Sequence, residues 1–545
     1  MQPVTRANAM GRLWAAGLLI ATGGAAAITS ATSVSAADAC AFLKDLKIEN
    51  TTITAAESVP AGSFTAGDSK SYANLPAFCR VAAALSPVHD SLIRIEMWLP
   101  QEGWKGVFEG TGTGGFGGRF IYPALASGLR QGYAVINSDE GTVPATALNG
   151  DVLVGHPVKW RDWGFRAAHL MTEAGKKIAQ AFYGKEPARA YFSGCSTGGQ
   201  QALIEAQLFP SDYDGVVAGA PVVNRTHLHA ALVWDYQAAH GAQGGVLGRD
   251  KLMLLKKAVV SACPPGAGGA ASDTFVADPP HCAFDPAALV CQAGDAPDCL
   301  TPEQAETAKR FYDGPTNPRT GEQVYPGWPR GSEGPVFGWA LEEGDPPASL
   351  KEPGFDSIFK WVFGPTWDWR NFDFDRDIAE ADAVLGPDVN GATVANIDAF
   401  KAHGGKLLIY HGWADSIVNP LATIAFYETL AKAHAGPDPF RNSARLFLLP
   451  GVEHCGIGGG EGPNGFGGGQ GLPAPVVDAE HDVLAALAQW VETGAAPEKL
   501  IATKYQGDDP TKPIVMQRPA CPYPKKAHYT GAGDTNAAAS FVCEQ

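Results

Sequence analysis

The segment YFSGCSTGG, residues 191–199, constrains the fold of this chain more than any other stretch. Ala190 and the residues after it form a short apolar run typical of a buried strand, and the glycines and serines that follow predict a sharp turn. Residues 200–209 then have the composition of a helix, and the apolar run at 215–221 predicts the next parallel strand. This order of elements predicts an α/β protein with a parallel sheet.

The turn contains the pattern G-x-S-x-G, here Gly194-Cys195-Ser196-Thr197-Gly198. In a nucleophile elbow, this pattern holds a serine at the tip of a strand-to-helix turn, where the strained backbone requires small neighbours. The helix behind the serine directs backbone N–H groups and a positive dipole end toward a developing oxyanion. An ordinary tight turn is the alternative for the pentapeptide alone, but the flanking strand and helix favour Ser196 as a nucleophile.

The chain is longer than one hydrophobic core usually supports, since it has 545 residues. From about residue 222 to residue 396 it contains four cysteines, many Gly and Pro residues and no regular alternation of strand and helix. This break predicts a lid inserted into the core. The predicted domains are a signal peptide (1–36), the first part of the core (37–221), the lid (222–396) and the second part of the core (397–545).

The N-terminus has the pattern of an export signal. Arg6 and Arg12 precede an apolar stretch at 13–28, and Val34-Ser35-Ala36 fits a small-x-small cleavage site. No later apolar run reaches about 18 residues, so a secreted or periplasmic protein without a membrane anchor is expected. The formal charge of −16 leaves no basic surface for nucleic acid.

The ten cysteines form an even set, which in an exported chain predicts disulfides. Zinc binding is the competing interpretation, but no C-x-x-C pair occurs and the spacings are irregular. Sequence alone does not determine the pairing. Four pairs are close in sequence, which leaves Cys195 and Cys455 for each other; these four are Cys40–Cys79, Cys263–Cys282, Cys291–Cys299 and Cys521–Cys543.

Two further strands end in residues that can act with Ser196. A predicted strand at 406–411 is followed by Asp415, and a predicted strand at 444–450 is followed by Glu453-His454-Cys455. Catalytic groups collect at the carboxyl ends of strands in open α/β sheets. A cap or turn role is the alternative for Asp415. His411 competes with His454 as the base, but its place within the strand end favours packing beneath the site.

The cysteines link these candidates independently. Cys195 precedes Ser196 and Cys455 follows His454, and a disulfide would bring the two cysteine Cα atoms to roughly 5.5–6 Å. Ser196 and His454 would then be neighbours.

The glycine-rich stretch 106–118 could be mistaken for a dinucleotide loop, but no helix follows it. A glycine-rich loop after a strand is typical of a segment that supplies one of the two N–H donors of an oxyanion hole. The alternative is a flexible surface loop.

Three motifs together resemble the tannase and feruloyl esterase family, which also includes mono(2-hydroxyethyl) terephthalate hydrolases. They are Gly194-Cys195-Ser196-Thr197-Gly198-Gly199, Tyr410-His411-Gly412-Trp413-Ala414-Asp415 and Pro450-Gly451-Val452-Glu453-His454-Cys455. The resemblance implies an α/β-hydrolase core with an inserted lid domain, and a disulfide-linked triad of Ser196, Asp415 and His454. It also implies that the N–H groups of Gly112 and Thr197 form the oxyanion hole.

In one respect the chain departs from the family. Lids of this family commonly carry an Asp-rich calcium loop, whereas Cys263 is followed here by Pro264-Pro-Gly-Ala-Gly-Gly, and only Asp273 remains. Since calcium takes six to eight oxygen ligands, several of them charged, no metal site is expected here. The chemistry expected of Ser196, His454 and Asp415 requires no other cofactor.

The resulting expectation is an exported hydrolase of aromatic acid esters, such as feruloyl, other hydroxycinnamoyl or galloyl esters, which acts through an acyl-enzyme on Ser196. A small ester is the only partner expected. Trp361, Phe363 and Trp367 are candidates for gripping the aromatic acyl group, with packing inside the lid as the alternative. A peptidase or acyltransferase on the same fold, or a catalytically silent binding protein, are the alternative functions.

Overall fold

The computed structural model describes residues 36–144, 146–241, 244–263, 269–333, 339, 356–434, 440–457, 460–468 and 471–545. The predicted signal peptide therefore lies outside the described residues, except for Ala36. The strands are β1 (Thr51–Val59), β2 (Gly62–Thr65), β3 (Ser71–Leu75), β4 (Phe78–Leu85), β5 (Ile93–Pro100), β6 (Val107–Thr111), β7 (Ala134–Ser138), β8 (Arg189–Cys195), β9 (Gly215–Gly219), β10 (Lys406–Gly412), β11 (Ala444–Leu449), β12 (Leu500–Tyr505), β13 (Ile514–Ala520), β14 (Lys526–Tyr529) and β15 (Phe541–Glu544).

The α-helices of the described residues follow in the same way. They are α1 (Ala36–Phe42), α2 (Tyr122–Arg130), α3 (Pro157–Arg161), α4 (Ala167–Tyr183), α5 (Thr197–Leu208), α6 (Arg225–His240), α7 (Arg249–Ala262), α8 (Pro302–Asp313), α9 (Ser357–Phe363), α10 (Arg376–Val389), α11 (Asp398–Ala402), α12 (Pro420–Ala433) and α13 (Val483–Thr493).

A nine-stranded sheet in the described part of the chain has the order β1-β4-β5-β7-β6-β8-β9-β10-β11. The pairs β1–β4, β4–β5 and β5–β7 are antiparallel. All pairs from β7 to β11 are parallel. The parallel half therefore aligns the carboxyl ends of β6, β8, β9, β10 and β11 along one edge, where the predicted catalytic residues follow.

Both faces of the parallel strands are buried, which explains their continuous apolar runs. Adjacent residues point to opposite faces, so Phe192 of β8 packs with the side chains of α4 and α5. Its neighbour Tyr191 packs instead with α13. The same alternation divides Ile409 and Leu408 of β10 between the two clusters.

The stretch between β9 and β10 is a long insertion, because these two strands are direct neighbours in the sheet. Helices α6 to α11 and two disulfides, Cys263–Cys282 and Cys291–Cys299, lie within it. The predicted boundaries at residues 222 and 396 fall just after β9 and just before α11.

All ten cysteines lie among the described residues, where they form five disulfides. Four of them are the pairs that are close in sequence, Cys40–Cys79, Cys263–Cys282, Cys291–Cys299 and Cys521–Cys543, and the fifth is the remaining pair, Cys195–Cys455. Of the helices that the structure describes, none combines the length and the apolar character needed to span a membrane.

Candidate active site

Ser196 lies at the junction of β8 and α5 in a strained backbone conformation. Its φ and ψ angles are 65° and −121°, values that a residue with a side chain rarely adopts. The Ser196 N–H donates to the carbonyl of Gly219 at 2.9 Å, which ties the turn to β9. The side chain is partly exposed, although the residues on either side are buried. This geometry is that of a nucleophile elbow.

Close packing explains why glycines surround the serine. A Cβ atom at Gly194 would lie 2.4 Å from the Gly198 carbonyl oxygen. One at Gly199 would lie 2.2 Å from the Gly219 carbonyl oxygen. Any larger residue at these two positions would push the elbow away from α5 or β9.

Asp415 and His454 meet at the carboxyl ends of β10 and β11. The Nδ1 atom of His454 lies 2.6 Å from Asp415 Oδ2. The other oxygen, Oδ1, accepts hydrogen bonds from the backbone N–H groups of Ile417 and Val418, both at 2.9 Å. Asp415 thus makes the turn contacts expected of an ordinary loop aspartate and also orients the imidazole of His454.

His411 lies beneath this pair, as the sequence suggested. Its Nε2 atom is 3.1 Å from Asp415 Oδ2 and 2.9 Å from the Val418 carbonyl oxygen. Its Nδ1 atom is 2.9 Å from Thr423 Oγ1. The fully buried His411 therefore supports the carboxylate from the side opposite to solvent.

The electrostatics of Asp415 favour its ionised form. Burial alone would raise the pKa of the Asp415 carboxyl, but the charges and hydrogen bonds of His454 and His411 outweigh burial and hold that pKa well below its usual range. An ionised carboxylate at this position can stabilise a positively charged His454 during a reaction.

The Cys195–Cys455 disulfide connects the elbow to the histidine loop. The Cα atoms of the two cysteines are 5.9 Å apart, although 260 positions separate them in sequence. Because Cys195 adjoins Ser196 and Cys455 adjoins His454, the bridge fixes the two loops against each other.

We expect the variant Cys195→Ala/Cys455→Ala to keep a near-native circular dichroism spectrum and to lose about 100-fold in kcat. A displacement of roughly 1 Å at a catalytic contact is enough for such a loss, whereas the sheet has its own core. The matched control is Cys521→Ala/Cys543→Ala, which opens a disulfide between the end of β13 and β15. The control should lose stability but keep its kcat. Unchanged kcat in the folded Cys195/Cys455 variant would show that this bridge acts only on stability.

The two predicted oxyanion donors differ in their surroundings. Thr197 is the first residue of α5, so its N–H belongs to the first turn, which has no carbonyl partner within the helix. The Gly112 N–H, in contrast, donates to the Ser193 carbonyl at 2.9 Å and extends the β6–β8 ladder. The roles of Thr197 and Gly112 in an oxyanion hole therefore stay predictions, and the Gly112 N–H is engaged with Ser193 in this structure.

The three candidate aromatic residues of the insertion fall into two groups. Trp361 is buried against Phe116 of the glycine-rich loop, with ring centroids 5.6 Å apart, and also contacts Trp160 and Trp163. Phe363 and Trp367 stack on each other at 6.0 Å, and Trp367 packs on Phe359 and Phe372. Trp361 is thus the one of the three that touches a loop bordering the elbow.

Two carboxylates near the loop in which the family carries calcium are already engaged by cationic side chains. Asp273 Oδ1 accepts a hydrogen bond from Arg518 at 2.6 Å, and Asp273 Oδ2 accepts one from the Ala270 N–H at 2.8 Å. Asp278, nearby in sequence, is paired with Lys526 at 2.5 Å. A calcium ion needs several uncommitted oxygens, and these carboxylates are already neutralised. Residues 264–268, part of the loop considered above, lie outside the described residues.

Another group of ligand-type side chains lies away from the elbow. Single ligand atoms of His169, Glu205 and Asp212 all lie within 4.8 Å of one another. Glu205 is nine positions after Ser196, or about 14 Å along α5 at 1.5 Å per residue. This group therefore takes no part in the site around Ser196.

Two residues near the site had no signal in the sequence. Arg225, the first residue of α6, donates from Nη2 to Thr197 Oγ1 at 3.0 Å. Tyr325 of the insertion interacts electrostatically with both Asp415 and Arg225. Tertiary packing brings Arg225 and Tyr325 to the elbow, and no local sequence pattern predicts such packing.

The sheet topology, the elbow and the Asp415–His454 pair define the protein as an α/β-hydrolase. A sequence profile described as tannase and feruloyl esterase matches residues 79–544. An uncharacterized esterase of Xanthomonas campestris is 37% identical, and the match covers 94% of this chain and 92% of that protein. A probable feruloyl esterase B-2 of Aspergillus flavus is 32% identical, with 81% and 83% covered.

The solved structures agree with the sequence relatives. The crystal structure of feruloyl esterase B from Aspergillus oryzae has a TM-score of 0.84 and 26% identity, and the match covers 94% of this chain and 100% of that one. The chain belongs to the tannase and feruloyl esterase family and is a carboxylic ester hydrolase.

Proposed function

We propose that the protein hydrolyses esters of aromatic acids through a covalent acyl-enzyme on Ser196. The observation that carries this proposal is the arrangement around the elbow. Ser196 has a φ angle of 65°, and a disulfide joins its neighbour to that of His454, which lies 2.6 Å from Asp415. A strained serine and an oriented histidine are what nucleophilic catalysis on an ester requires.

In the proposed mechanism, His454 accepts the proton of the Ser196 hydroxyl as its oxygen attacks the ester carbonyl carbon. Asp415 stabilises the imidazolium, and the Thr197 N–H donates to the tetrahedral oxyanion. A second donor would come from the glycine-rich loop after β6. The imidazolium then protonates the leaving alcohol, and water, activated by the same histidine, releases the acid. The chain's own residues supply each of these steps, so we propose no cofactor.

An aromatic acyl group is supported by the family and by the aromatic residues near the elbow. The names of the relatives refer to feruloyl esters, which have an aromatic acid component. In this chain Phe116, Trp163 and Trp361 pack together beside the glycine-rich loop. Because these rings are buried, we propose that an aryl group packs at the edge of this cluster.

We also propose that the protein is exported after cleavage at Ala36. The N-terminal pattern supports this, and so do the five disulfides, since disulfides persist in oxidising compartments. We propose a small ester as the only partner, and we propose that the protein does not bind nucleic acid.

A panel of purified substrates tests the proposed function. Methyl esters of hydroxycinnamic and gallic acids should have kcat/KM values at least about tenfold above those of methyl butyrate, and the matched anilides should be inert. Amide cleavage at a similar rate would indicate a peptidase instead. The absence of any ester turnover would indicate a catalytically silent protein.

Among the lid aromatic residues, Trp361 should matter most for aryl substrates. We expect Trp361→Ala to raise KM for a hydroxycinnamate ester about three- to tenfold more than for methyl butyrate, as one aromatic contact is worth roughly 0.5–1.5 kcal/mol. Phe363 lies in the same helix as Trp361 but packs with Trp367. Phe363→Ala should therefore change KM for the hydroxycinnamate ester and for methyl butyrate by the same factor. Equal changes for Trp361→Ala as well would assign all three residues to packing.

A further inference from the structure

Glu205 has a buried carboxylate whose two oxygens both lack a hydrogen-bond partner. The residue is 1% exposed, and among the described residues no donor lies within hydrogen-bond distance of Oε1 or Oε2. Buried polar groups are nearly always hydrogen-bonded, and buried charges are paired or bound to a metal ion. This carboxylate therefore requires a partner that the described side chains do not provide.

The Glu205 carboxylate lies with two further ligand-type side chains. Single ligand atoms of His169 in α4, Glu205 in α5 and Asp212 in the loop before β9 all lie within 4.8 Å of one another. The His169 Nδ1 atom is 2.7 Å from Asp212 Oδ2. Three separate segments thus bring an imidazole and two carboxylates to one point, although positions 169, 205 and 212 form no ligand motif in the sequence.

Neighbouring contacts hold His169 and Asp212 in place. The His169 ring stacks on Phe209, with ring centroids 3.8 Å apart and an angle of 9° between the ring planes. The Asp212 N–H donates to the Phe209 carbonyl at 2.9 Å, and Lys176 Nζ donates to the Asp212 main-chain carbonyl. Ligands that are fixed before an ion arrives lose little conformational freedom when it binds.

The charges around Glu205 leave an excess of negative charge. Asp212 and Glu140 add to the negative charge, and Lys176 supplies one positive charge that it shares with Asp214. Two facing carboxylates can be held together by a shared proton or by a metal ion. A shared proton satisfies only one oxygen of Glu205 and does not involve His169, whereas a metal ion binds both carboxylates and the imidazole.

We propose that His169, Glu205 and Asp212 form a binding site for a divalent transition metal ion of the zinc type. One imidazole nitrogen with carboxylate oxygens suits zinc, while calcium and magnesium prefer oxygen ligands alone. The His169 and Asp212 side chains are 24% and 13% exposed, so an ion has access and water can complete a tetrahedral shell. The ion joins α4, α5 and the loop before β9, and it stabilises the fold without taking part in ester hydrolysis.

Titration of Zn²⁺ into untagged protein that has been dialysed against EDTA tests the site. Calorimetry should show one Zn²⁺ per chain with a Kd of about 10 µM or lower, and Ca²⁺ should bind at least about 100-fold more weakly. All ten cysteines form disulfides, so no thiolate competes for the ion. Saturating Zn²⁺ should raise the melting temperature by about 2 °C or more, because the ion binds the folded state.

Two variants assign the binding to the proposed ligands. Glu205→Gln keeps the shape of the side chain and should weaken Zn²⁺ binding by at least about 100-fold. In EDTA this variant should melt at or above the wild-type temperature, because it removes the repulsion between two carboxylates. His169→Gln, at a partly exposed position, should weaken Zn²⁺ binding to a similar extent.

Glu109→Gln is the matched control for the loss of a buried carboxylate. Glu109 is 4% exposed and its Oε2 also lacks a hydrogen-bond partner, but in the described part of the chain it belongs to no group of metal-ligand side chains. Glu109→Gln should bind Zn²⁺ as tightly as the wild type.

Three results would overturn the proposal. The first is wild-type protein that binds Zn²⁺ no more tightly than Ca²⁺, which would assign Glu205 and Asp212 to a shared proton. The second is undiminished Zn²⁺ binding in Glu205→Gln or His169→Gln, which would place the ion elsewhere. The third is a loss of ester hydrolysis when EDTA removes the ion from folded wild-type protein, which would contradict a purely structural role. The binding and melting measurements do not depend on the proposed ester hydrolysis.

Discussion

Replacement of Ser196 by alanine is expected to lower kcat for aryl ester hydrolysis by roughly 10⁵- to 10⁶-fold, since members of a catalytic triad act as a unit. The change removes one oxygen atom from a partly exposed side chain. The backbone at φ 65° and its bond to Gly219 remain, and alanine has the same Cβ as serine. The elbow should therefore keep its shape, and the circular dichroism spectrum and the melting temperature should stay close to those of the wild type.

Ser193→Ala is the matched control, from the same strand. The Ser193 hydroxyl donates to the Gly468 carbonyl at 3.1 Å and takes no part in the proposed chemistry. Its loss should cost about 1 kcal/mol of stability and leave kcat within a few-fold of wild type. Initial-rate measurements with one hydroxycinnamate ester compare the variants. Ester hydrolysis by Ser196→Ala within about tenfold of the wild-type rate would exclude Ser196 as the nucleophile.

Asp415→Asn should lower kcat about 10⁴-fold with little change in structure. In the wild type, Asp415 Oδ2 accepts from His454 at 2.6 Å and lies 3.1 Å from His411 Nε2. An asparagine can keep the Oδ1 bonds to Ile417 and Val418, but its amide then presents N–H to His454 Nδ1. The imidazole proton would then lie on Nε2 of His454. That nitrogen must be unprotonated to accept the proton of Ser196.

Asp482→Asn controls for the loss of a buried carboxylate in a similar turn. Asp482 Oδ1 accepts from the Leu484 and Ala485 N–H groups at the start of α13, at 3.0 and 2.9 Å. This substitution should reduce the free energy of unfolding and leave kcat unchanged. A loss of kcat in Asp415→Asn no larger than in Asp482→Asn would mean that Asp415 is only a structural turn residue.

The parallel half of the fold could be predicted from sequence, because strands buried on both faces are continuous apolar runs. The runs at 134–139 and 444–450 correspond to Ala134–Ser138 and Ala444–Leu449 in the structure. The helix predicted at 166–182 is observed at Ala167–Tyr183, since its apolar residues recur with helical spacing.

The start of α5 was predicted three residues late for a physical reason. Gly198 and Gly199 have low helix propensity and indicated a longer turn, but α5 begins at Thr197. The close approach of Gly199 to the Gly219 carbonyl requires these glycines inside the helix. The helix α6 was not predicted at all, because residues 228–233 are buried on every face and show no amphipathic period.

The candidate residues of the site were predicted because each lies in a motif at a strand end, and because two cysteines adjoin them. Arg225 and Tyr325 lie in no motif. Their positions depend on contacts such as that between His227 and the Val324 carbonyl, which join parts of the chain nearly 100 residues apart. Packing of this kind inside a long insertion cannot be inferred from composition or spacing.

Mass spectrometry of the protein after reaction with a fluorophosphonate tests the central claim most directly, since the reagent forms a stable adduct with an activated serine. Peptide mapping should locate one adduct per chain, on Ser196, and the adduct should be absent from Ser196→Ala and strongly reduced in Asp415→Asn. Loss of ester hydrolysis should parallel its formation. An adduct on another serine, or full hydrolytic activity in protein that is completely labelled on Ser196, would contradict the proposed acyl-enzyme.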